Sequence, residues 1–459
     1  MLLACPLVRS VPVDYVDPQE AEEVSDAAVN DCIVTNYAEL KAALEDPAKF
    51  NNKCKTGTAS AAIFTQCTGK FERDADGPIV LNSGITVWTI KPWCKTKPLG
   101  QDIKIDLGKN SNVAVIVAKP TTADTSSSFT LDNINFVFSG SGGSCTSEPC
   151  AVVQIDAFRT VTISNTKINA GNSAVAAASI PASGIRINSA ETIKLERVGI
   201  NQVQLDGILV EGGGKVEGKT VKVKGCGGNG LQYKTCASND VKESLKLEGL
   251  PASSFIGNGN AGLLMDCLAA PESNTKAVPV TLSQVTFSKN AKRGMWLRGT
   301  FAVNIKKGSV DGNGDKESNI CGGGVRVILR NTATVKTGLT VDGTTVKGNK
   351  AKYGAGICFQ SRSTATVGSP LLPQSLLRLT GNPLVDKNEA KVCGGGLATI
   401  ANLDTERMAV AIDRGTKWGK NEAEKGKTWC DALEGKDEDD ADFSKFKSIW
   451  FTDPSDIVN

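Results

Sequence analysis

The stretch Gly184-Ile185-Arg186-Ile187 recurs along the chain as Gly207-Ile208-Leu209-Val210, Gly230-Leu231-Gln232-Tyr233, Gly262-Leu263-Leu264-Met265, Gly294-Met295-Trp296-Leu297, Gly324-Val325-Arg326-Val327, Gly356-Ile357-Cys358-Phe359 and Gly396-Leu397-Ala398-Thr399. Successive glycines lie 23, 23, 32, 32, 30, 32 and 40 residues apart. A repeat of that length cannot bury an apolar face by itself and must stack on its neighbours as a solenoid. Within each of the first seven copies the first and third residues after glycine are apolar, which is the period of a β-strand. With the residue after glycine pointing inward, Ile185, Ile208, Leu231, Leu263, Met295, Val325 and Ile357 form one core row. Ile187, Val210, Tyr233, Met265, Leu297, Val327 and Phe359 form a second.

Most copies follow another β-like run, such as Thr192 to Leu195, Val221 to Val223, Val280 to Leu282, Val303 to Ile305 or Leu339 to Val341. An asparagine then stands three residues after an apolar position: Asn258 after Phe255, Asn290 after Phe287, Asn313 after Val310, Asn349 after Val346 and Asn388 after Val385. Asparagine tolerates left-handed backbone and can hydrogen-bond along a stack of equivalent turns. Two or three strands per coil make an all-β parallel β-helix, and helical periodicity is missing throughout the repeat region.

Outward from the repeats, residues 61–400 read as the β-helix. Its early strands are Ile79 to Leu81, Ile85 to Trp88, Ile103 to Leu107, Val113 to Ala118, Phe129 to Phe138 and Val161 to Ile163, separated by Ser-, Thr- and Gly-rich loops. Residues 1–32 read as a signal remnant or flexible arm, and residues 33–60 as an N-terminal helix cap. Asn36 caps the helix, Glu39 reaches back as in a capping box, Tyr37, Leu40 and Leu44 share a face, and Asp46-Pro47 ends it. Residues 401–459 read as a C-terminal cap and charged tail, with an edge strand expected within Asp404 to Asp413 and Trp418, Trp429 and Trp450 packing on the last coil.

Formal net charge is +3 over 459 residues, so no global field points to nucleic acid. The chain has no histidine, which excludes Ser-His-Asp and Cys-His machinery and histidine-ligated metals. Fourteen cysteines without a Cys-x-x-Cys pair point to disulfides and an oxidising compartment, hence extracellular or cell-surface localisation. Cys236 with Cys267, and Cys145 with Cys150, are candidate pairs by position, but connectivity does not follow from sequence. No run of 18 apolar residues suggests a membrane span. Asp311-Gly312-Asn313-Gly314-Asp315 looks like the start of a calcium loop but has Gly322 where the bidentate glutamate belongs, so it reads as a polar turn.

The helix from Thr35 to Leu44, the strand ladders and the repeated aliphatic-x-x-Asn followed by Gly-Gly-aliphatic resemble the pectate-lyase-like right-handed parallel β-helix superfamily. Val346-Lys347-Gly348-Asn349 with Gly354-Ala355-Gly356-Ile357, and Val385-Asp386-Lys387-Asn388 with Gly394-Gly395-Gly396-Leu397, are similar to repeats of bacterial polymorphic outer-membrane adhesins. The resemblance covers about residues 33 to 400 and implies the fold. Because that superfamily spans lyases, hydrolases, esterases, epimerases and adhesins, it implies no single activity. The Gly-His-Gly element of polygalacturonases and the Trp-Ile-Asp-His and Arg-x-Pro-x-x-Arg patterns of pectate lyases are absent.

Function is expected on the outward residues of the glycine-led strands. These are Arg186 and Asn188, Leu209 and Glu211, Gln232 and Lys234, Leu264 and Asp266, Trp296 and Arg298, and Arg326 and Ile328. Coils about 4.8 Å apart would join them into one strip. Along it Glu211, Lys234, Asp266 and Arg298 alternate in sign, which is read first as cross-strand pairing worth roughly 0.2–1 kcal/mol per pair. The sharper reading is a polysaccharide groove with Trp296 as stacking platform and Gln232, Arg186 and Arg326 as contacts. The catalytic candidates are Glu211, Asp266, Arg298 and Lys234. Glu211 and Asp266, two coils and roughly 9–10 Å apart, would suit an inverting glycosidase. Arg298 or Lys234 could abstract a proton beside a uronate carboxylate, with an acidic residue holding Ca²⁺, the one cofactor considered. The leading expectation is a secreted or cell-surface protein with a structural, adhesive or glycan-binding role, its partner a polysaccharide or cell-surface glycan. The alternative is a polysaccharide lyase or glycoside hydrolase.

Overall fold

A computed structural model describes residues 32–50, 54, 60–65, 69–72, 79–82, 84–92, 103–106, 116–120, 127–137, 151–170, 183–212, 214–234, 244–267, 277–317, 321–331, 337–363, 375–401, 408–424, 429–434, 441–442 and 450–451. Short strands succeed one another, and each pairs in parallel with its counterpart one coil later. Ser183–Asn188, Thr192–Glu196 and Gly199–Asn201 make one coil; Ile208–Glu211, Lys215–Lys219 and Lys222–Lys224 make the next. Ile185 sits beside Ile208, Ile193 beside Val216 and Ile200 beside Val223. The first strands of the coils build a 13-stranded sheet, and the second and third strands build two ladders of a 24-stranded sheet. These long parallel sheets are consistent with a β-helix.

The glycine-led register expected from sequence is observed. Ile185, Ile208, Leu231, Leu263, Met295, Val325 and Ile357 follow one another in the ladder, as do Ile187, Val210 and Tyr233. All are buried in one continuous apolar column that runs from Cys32 and Val34 to Val410. Each such side chain contributes roughly 1.5–3 kcal/mol by leaving water. Phe255 and Phe287 stack one coil apart within it, ring centroids 5.3 Å apart.

Single left-handed residues bend the chain between strands: Asn165, Arg197 and Thr220 between the second and third strands, and Gln202, Gly225, Gly257, Lys289, Gly312, Gly348 and Lys387 after the third. The asparagines singled out in the sequence follow these bends and do not occupy them. Asn258, Asn290, Asn313, Asn349 and Asn388 are buried, and Asn421 joins them as a sixth rung. Each Nδ2 donates to the Oδ1 of the next asparagine at 2.8–3.0 Å, and each backbone N–H donates to the same oxygen at 3.0–3.1 Å. From Asn290 onward the Nδ2 also reaches a main-chain carbonyl, that of Phe255, Phe287, Val310, Val346 or Val385. Buried corner amides are thereby satisfied without water. Asn313 is committed to this ladder, so the turn from Asp311 to Asp315 does not offer it as a calcium ligand.

A helix forms at Tyr37–Glu45, with Tyr37, Leu40, Ala43 and Leu44 buried. Asn36 Oδ1 accepts from the Glu39 N–H at 2.9 Å. Glu39 reaches one residue further back than a capping box requires, to the N–H and hydroxyl of Thr35 at 2.7 and 2.9 Å. Those bonds, the Thr35 N–H foremost, hold the Glu39 carboxyl below its ordinary range. At the other end the parallel ladders continue past residue 400. Met408–Ile412 adds to Ser375–Thr380, Lys417–Trp418 to Leu384–Asp386, Trp429–Glu434 to Leu397–Ala401, and Trp450–Phe451 to Met408–Ile412.

Cys32–Cys54, Cys321–Cys358 and Cys393–Cys430 are disulfides. The latter two each span 37 residues, a loop whose closure restricts the unfolded chain by about 3–4 kcal/mol. Cys267 is also disulfide-bonded. Cys236, Cys145 and Cys150, named in the pairings considered from sequence, lie outside the described residues. Cys226 is a buried free thiol, and burial pushes its pKa up to about 12. Iodoacetamide on the folded, unreduced protein is therefore expected to miss Cys226. Unfolding without reductant should expose it to labelling, while Cys321, Cys358, Cys393 and Cys430 stay unlabelled in peptide mass spectra. Label on Cys321 without reductant would contradict the pairing.

Candidate functional site

The outer face of the 13-stranded sheet is built by the same alternation that builds the core. Gln154, Arg186, Leu209, Gln232, Leu264, Trp296 and Arg326 succeed one another rung by rung in one row. Two residues on, Asp156 aligns with Asn188, Asn188 with Glu211, Glu211 with Lys234, Asp266 with Arg298 and Arg298 with Ile328. The residues named from sequence are thus brought onto one face.

Charge pairing dominates this face. Glu211 accepts from Arg186 at 2.9–3.0 Å and from Lys234 at 3.5 Å. Asp266 takes the guanidinium of Arg298 in two-pronged fashion, Nε to Oδ1 at 2.9 Å and a terminal nitrogen to Oδ2. The cross-strand pairing expected from the alternating signs is present, and both catalytic carboxylate candidates are held by arginines. Trp296 is half-buried among three guanidiniums, whose central carbons lie 4.4 Å (Arg293), 5.5 Å (Arg326) and 5.8 Å (Arg298) from its ring. Arg293 also donates through Nε to the Cys321 carbonyl at 3.3 Å. Gln232 Oε1 accepts from Asn229 Nδ2 at 3.2 Å.

The strip closes sooner than the alternation implies. Arg326 is 2% exposed and Ile328 1%, so neither lies on an open surface. From this point a second apolar cluster lies outside the sheet: Cys321, Tyr353 and Cys393 pack with Cys358, Ala398, Ile400 and Cys430, held by the two disulfides. Small residues on the outer face at Cys358 and Ala398 make room for that layer. The accessible strip therefore runs from Arg186 to Trp296 and Arg298.

Asp206, which the sequence reading passed over, sits one residue before Gly207 at the lip of the strip. Its Oδ1 accepts from the Asn229 N–H at 2.7 Å and Nδ2 at 2.9 Å. Gly228 leaves the necessary space, because a Cβ there would stand 2.7 Å from that oxygen. Burial pushes the Asp206 carboxyl above its ordinary value of 3.8; the Asn229 bonds and Lys234 oppose the rise, and Glu211 adds to it. An Asp-Gly pair before a strand reads as a turn, so the sequence carried no signal for this group.

The sign of the resulting pH dependence follows. A carboxyl with a raised folded-state pKa binds its proton more tightly in the folded protein, so stability is lost as pH climbs through that pKa. The urea midpoint of Asp206→Asn minus that of the unsubstituted chain should therefore rise between pH 3.5 and 7. A difference that stays flat or falls would contradict the assignment.

No group of three or more cysteines, aspartates or glutamates placed to hold a metal occurs among the described residues. No protein-family model, curated protein or solved structure matches the chain.

Proposed function

We propose that this chain is a right-handed parallel β-helix that acts outside the cell, secreted or surface-bound, as a structural or adhesive rod that binds glycan along the strip from Arg186 to Arg298. The hand is supported by the near-universal right-handedness of parallel strand–crossover–strand connections. The disulfides support an oxidising compartment. The helix Tyr37–Glu45 acts as the N-terminal cap: its buried face belongs to the same apolar column, and its last turn accepts from Asn82 N–H at Leu44 O.

The observation that carries the binding role is the state of the strip's carboxylates. Glu211 and Asp266 are each engaged by arginine, an arrangement that builds a rigid polar surface and commits both carboxylates to pairing along the sheet face. Trp296 and Gln232 stand on that surface as an aromatic platform and an amide. Binding without turnover is the expected result on a panel of pectic, algal and bacterial polysaccharides read both for affinity and for reducing ends or unsaturated products. Turnover that disappears in Asp266→Asn or Arg298→Ala would replace this reading with catalysis.

Asp206 favours a second reading, a polysaccharide lyase or glycoside hydrolase. A carboxyl lifted by burial, on the face that also carries Glu211, is the kind of group that general acid–base chemistry uses. That reading requires turnover on the same panel, abolished in Asp206→Asn with binding retained.

A further inference from the structure

We propose that the strip takes an uncharged polysaccharide, laid along the stacking axis with its ring faces on the lane from Leu209 to Trp296 and its hydroxyl edge on the lane from Glu211 to Arg298. This rests on the strip being the glycan-binding surface and names the class of glycan. The two lanes differ in chemistry across the width of the sheet. The lane nearer the glycines reads Leu209, Gln232, Leu264 and Trp296, without a formal charge. Two residues on, the other reads Glu211, Lys234, Asp266 and Arg298, with a charge at every position. Successive positions along a lane stand about 4.8 Å apart, so each lane is a continuous track.

The charged lane is closed on itself. Glu211 is shared by Arg186 and Lys234, and Asp266 is held by both prongs of Arg298. The strip thus presents three cations, Arg186, Lys234 and Arg298, against three carboxylates, Asp206, Glu211 and Asp266. Arg293 and Arg326 are 6% and 2% exposed, so their charge stays inside, against the Trp296 ring. Because signs alternate along the lane, an anion set on Lys234 would stand one rung from both Glu211 and Asp266, and one set on Arg298 would compete with the carboxylate already there. A sugar hydroxyl meets no such opposition. It donates and accepts at once, and the paired carboxylates keep spare lone pairs while the Gln232 amide and the Lys234 ammonium keep N–H donors.

The surface is open along this length. The side chains of Arg186, Arg298, Glu211, Asp266 and Lys234 are 21, 22, 27, 33 and 49% exposed, so a polymer lies on the face and needs no cavity. Leu205, 54% exposed, stands at the lip of the strip beside Asp206 and extends the uncharged lane at its rim.

The test is calorimetric titration of the full chain with two matched pairs of polymers that differ in charge: polygalacturonate with its methyl ester, and carboxymethylcellulose with hydroxyethylcellulose. The neutral member of whichever pair binds is expected to bind at least tenfold more tightly, and its affinity to change less than about twofold between roughly 0.05 and 0.5 M sodium chloride, since no ion pair is there to screen. Glu211→Gln releases Arg186 and Lys234 from their shared carboxylate; it should raise affinity for the acidic member at least tenfold, and the gain should vanish in high salt. Leu205→Ser alters an exposed side chain and should weaken neutral-polymer binding about threefold, with circular dichroism confirming the fold of both variants. An acidic member that binds as tightly as its neutral partner, or no gain for it in Glu211→Gln, would overturn the assignment of an uncharged glycan and leave the strip standing. If both pairs are silent, the charge of whichever polymer of the wider panel binds decides in the same way. If no polymer binds, or if neutral-polymer affinity is unchanged in both Leu205→Ser and Trp296→Phe, the strip reading itself falls.

Discussion

Asn313→Leu is expected to destabilise the protein by about 4 kcal/mol, because it strips the acceptor from two buried donors at once, each costing roughly 1–3 kcal/mol when orphaned. Asn290 directs both its backbone N–H and its Nδ2 to Asn313 Oδ1, at 3.0 and 2.8 Å. Leucine has the same number of side-chain heavy atoms and a similar branching, so the change removes the hydrogen bonds without leaving a cavity. Asn258→Leu provides the internal comparison. Its Oδ1 accepts only from the Cys226 N–H at 3.1 Å, since the rung before it is a cysteine without an amide. One orphan in place of two predicts about half the loss. Urea unfolding of the two variants, followed by circular dichroism, measures the ratio. Equal losses would mean that the asparagines stabilise by filling space and not through the bonded ladder.

The ladder also shows how far the sequence could be read. Its spacing was visible because an apolar residue precedes each asparagine by three positions, and five rungs followed from that. Asn421 escaped because no glycine-led strand follows it; the next strand, Trp429–Glu434, begins without one. The left-handed residue was misplaced by one position for a physical reason. At Gly257, Gly312 and Gly348 the preference of the residue type matches the bend, but Lys289 and Lys387 adopt the same φ, near +55° and +52°. There the stacked coils impose the conformation: the Lys289 N–H, for one, is tied to Asp311 O at 3.0 Å. Local preference cannot announce a bend that neighbours enforce.

The candidate strip was legible to the same depth. Alternation gave the correct facing residues and the sign pattern gave the pairs, since both depend only on register. What alternation cannot report is a second layer. Arg326, for one, is approached from outside its strand by Gly322, where a Cβ would stand 2.8 Å from the Arg326 Cβ, and nothing in the alternation of the strand encodes that cover. Asp206 was hidden for a related reason: its environment is made by Asn229, one coil away.

Gly262→Ala is expected to be among the most damaging single-methyl additions this chain can receive, and the reason revises what the repeated glycine is for. A Cβ at Gly262 would stand 2.7 Å from the Gly294 carbonyl oxygen, 2.7 Å from Phe287 Cδ1 and 3.0 Å from Asn290 Nδ2. The carbonyls at this level of the stack are bonded: Gly324 O, for example, accepts from the Met295 N–H at 2.9 Å. A backbone oxygen fixed in a parallel ladder cannot step aside as a flexible side chain could. The same clash recurs at Gly184, Gly207, Gly230, Gly294, Gly324 and Gly356, each facing the carbonyl of the glycine one coil on at 2.5–2.7 Å. The glycines that reveal the fold are therefore required for space between coils, and none of the seven has a positive φ. Gly257 supplies the opposite case: φ is +66° and nothing lies within 4 Å of its missing Cβ. Gly257→Ala should lose only the roughly 1–2 kcal/mol of a left-handed L-residue. Gly262→Ala should exceed the usual 1–3 kcal/mol of an overpacked core and leave little soluble protein. Soluble yield and urea midpoints of the two variants separate the causes, and a Gly262→Ala chain as stable as Gly257→Ala would show that the coils can part to admit a methyl group.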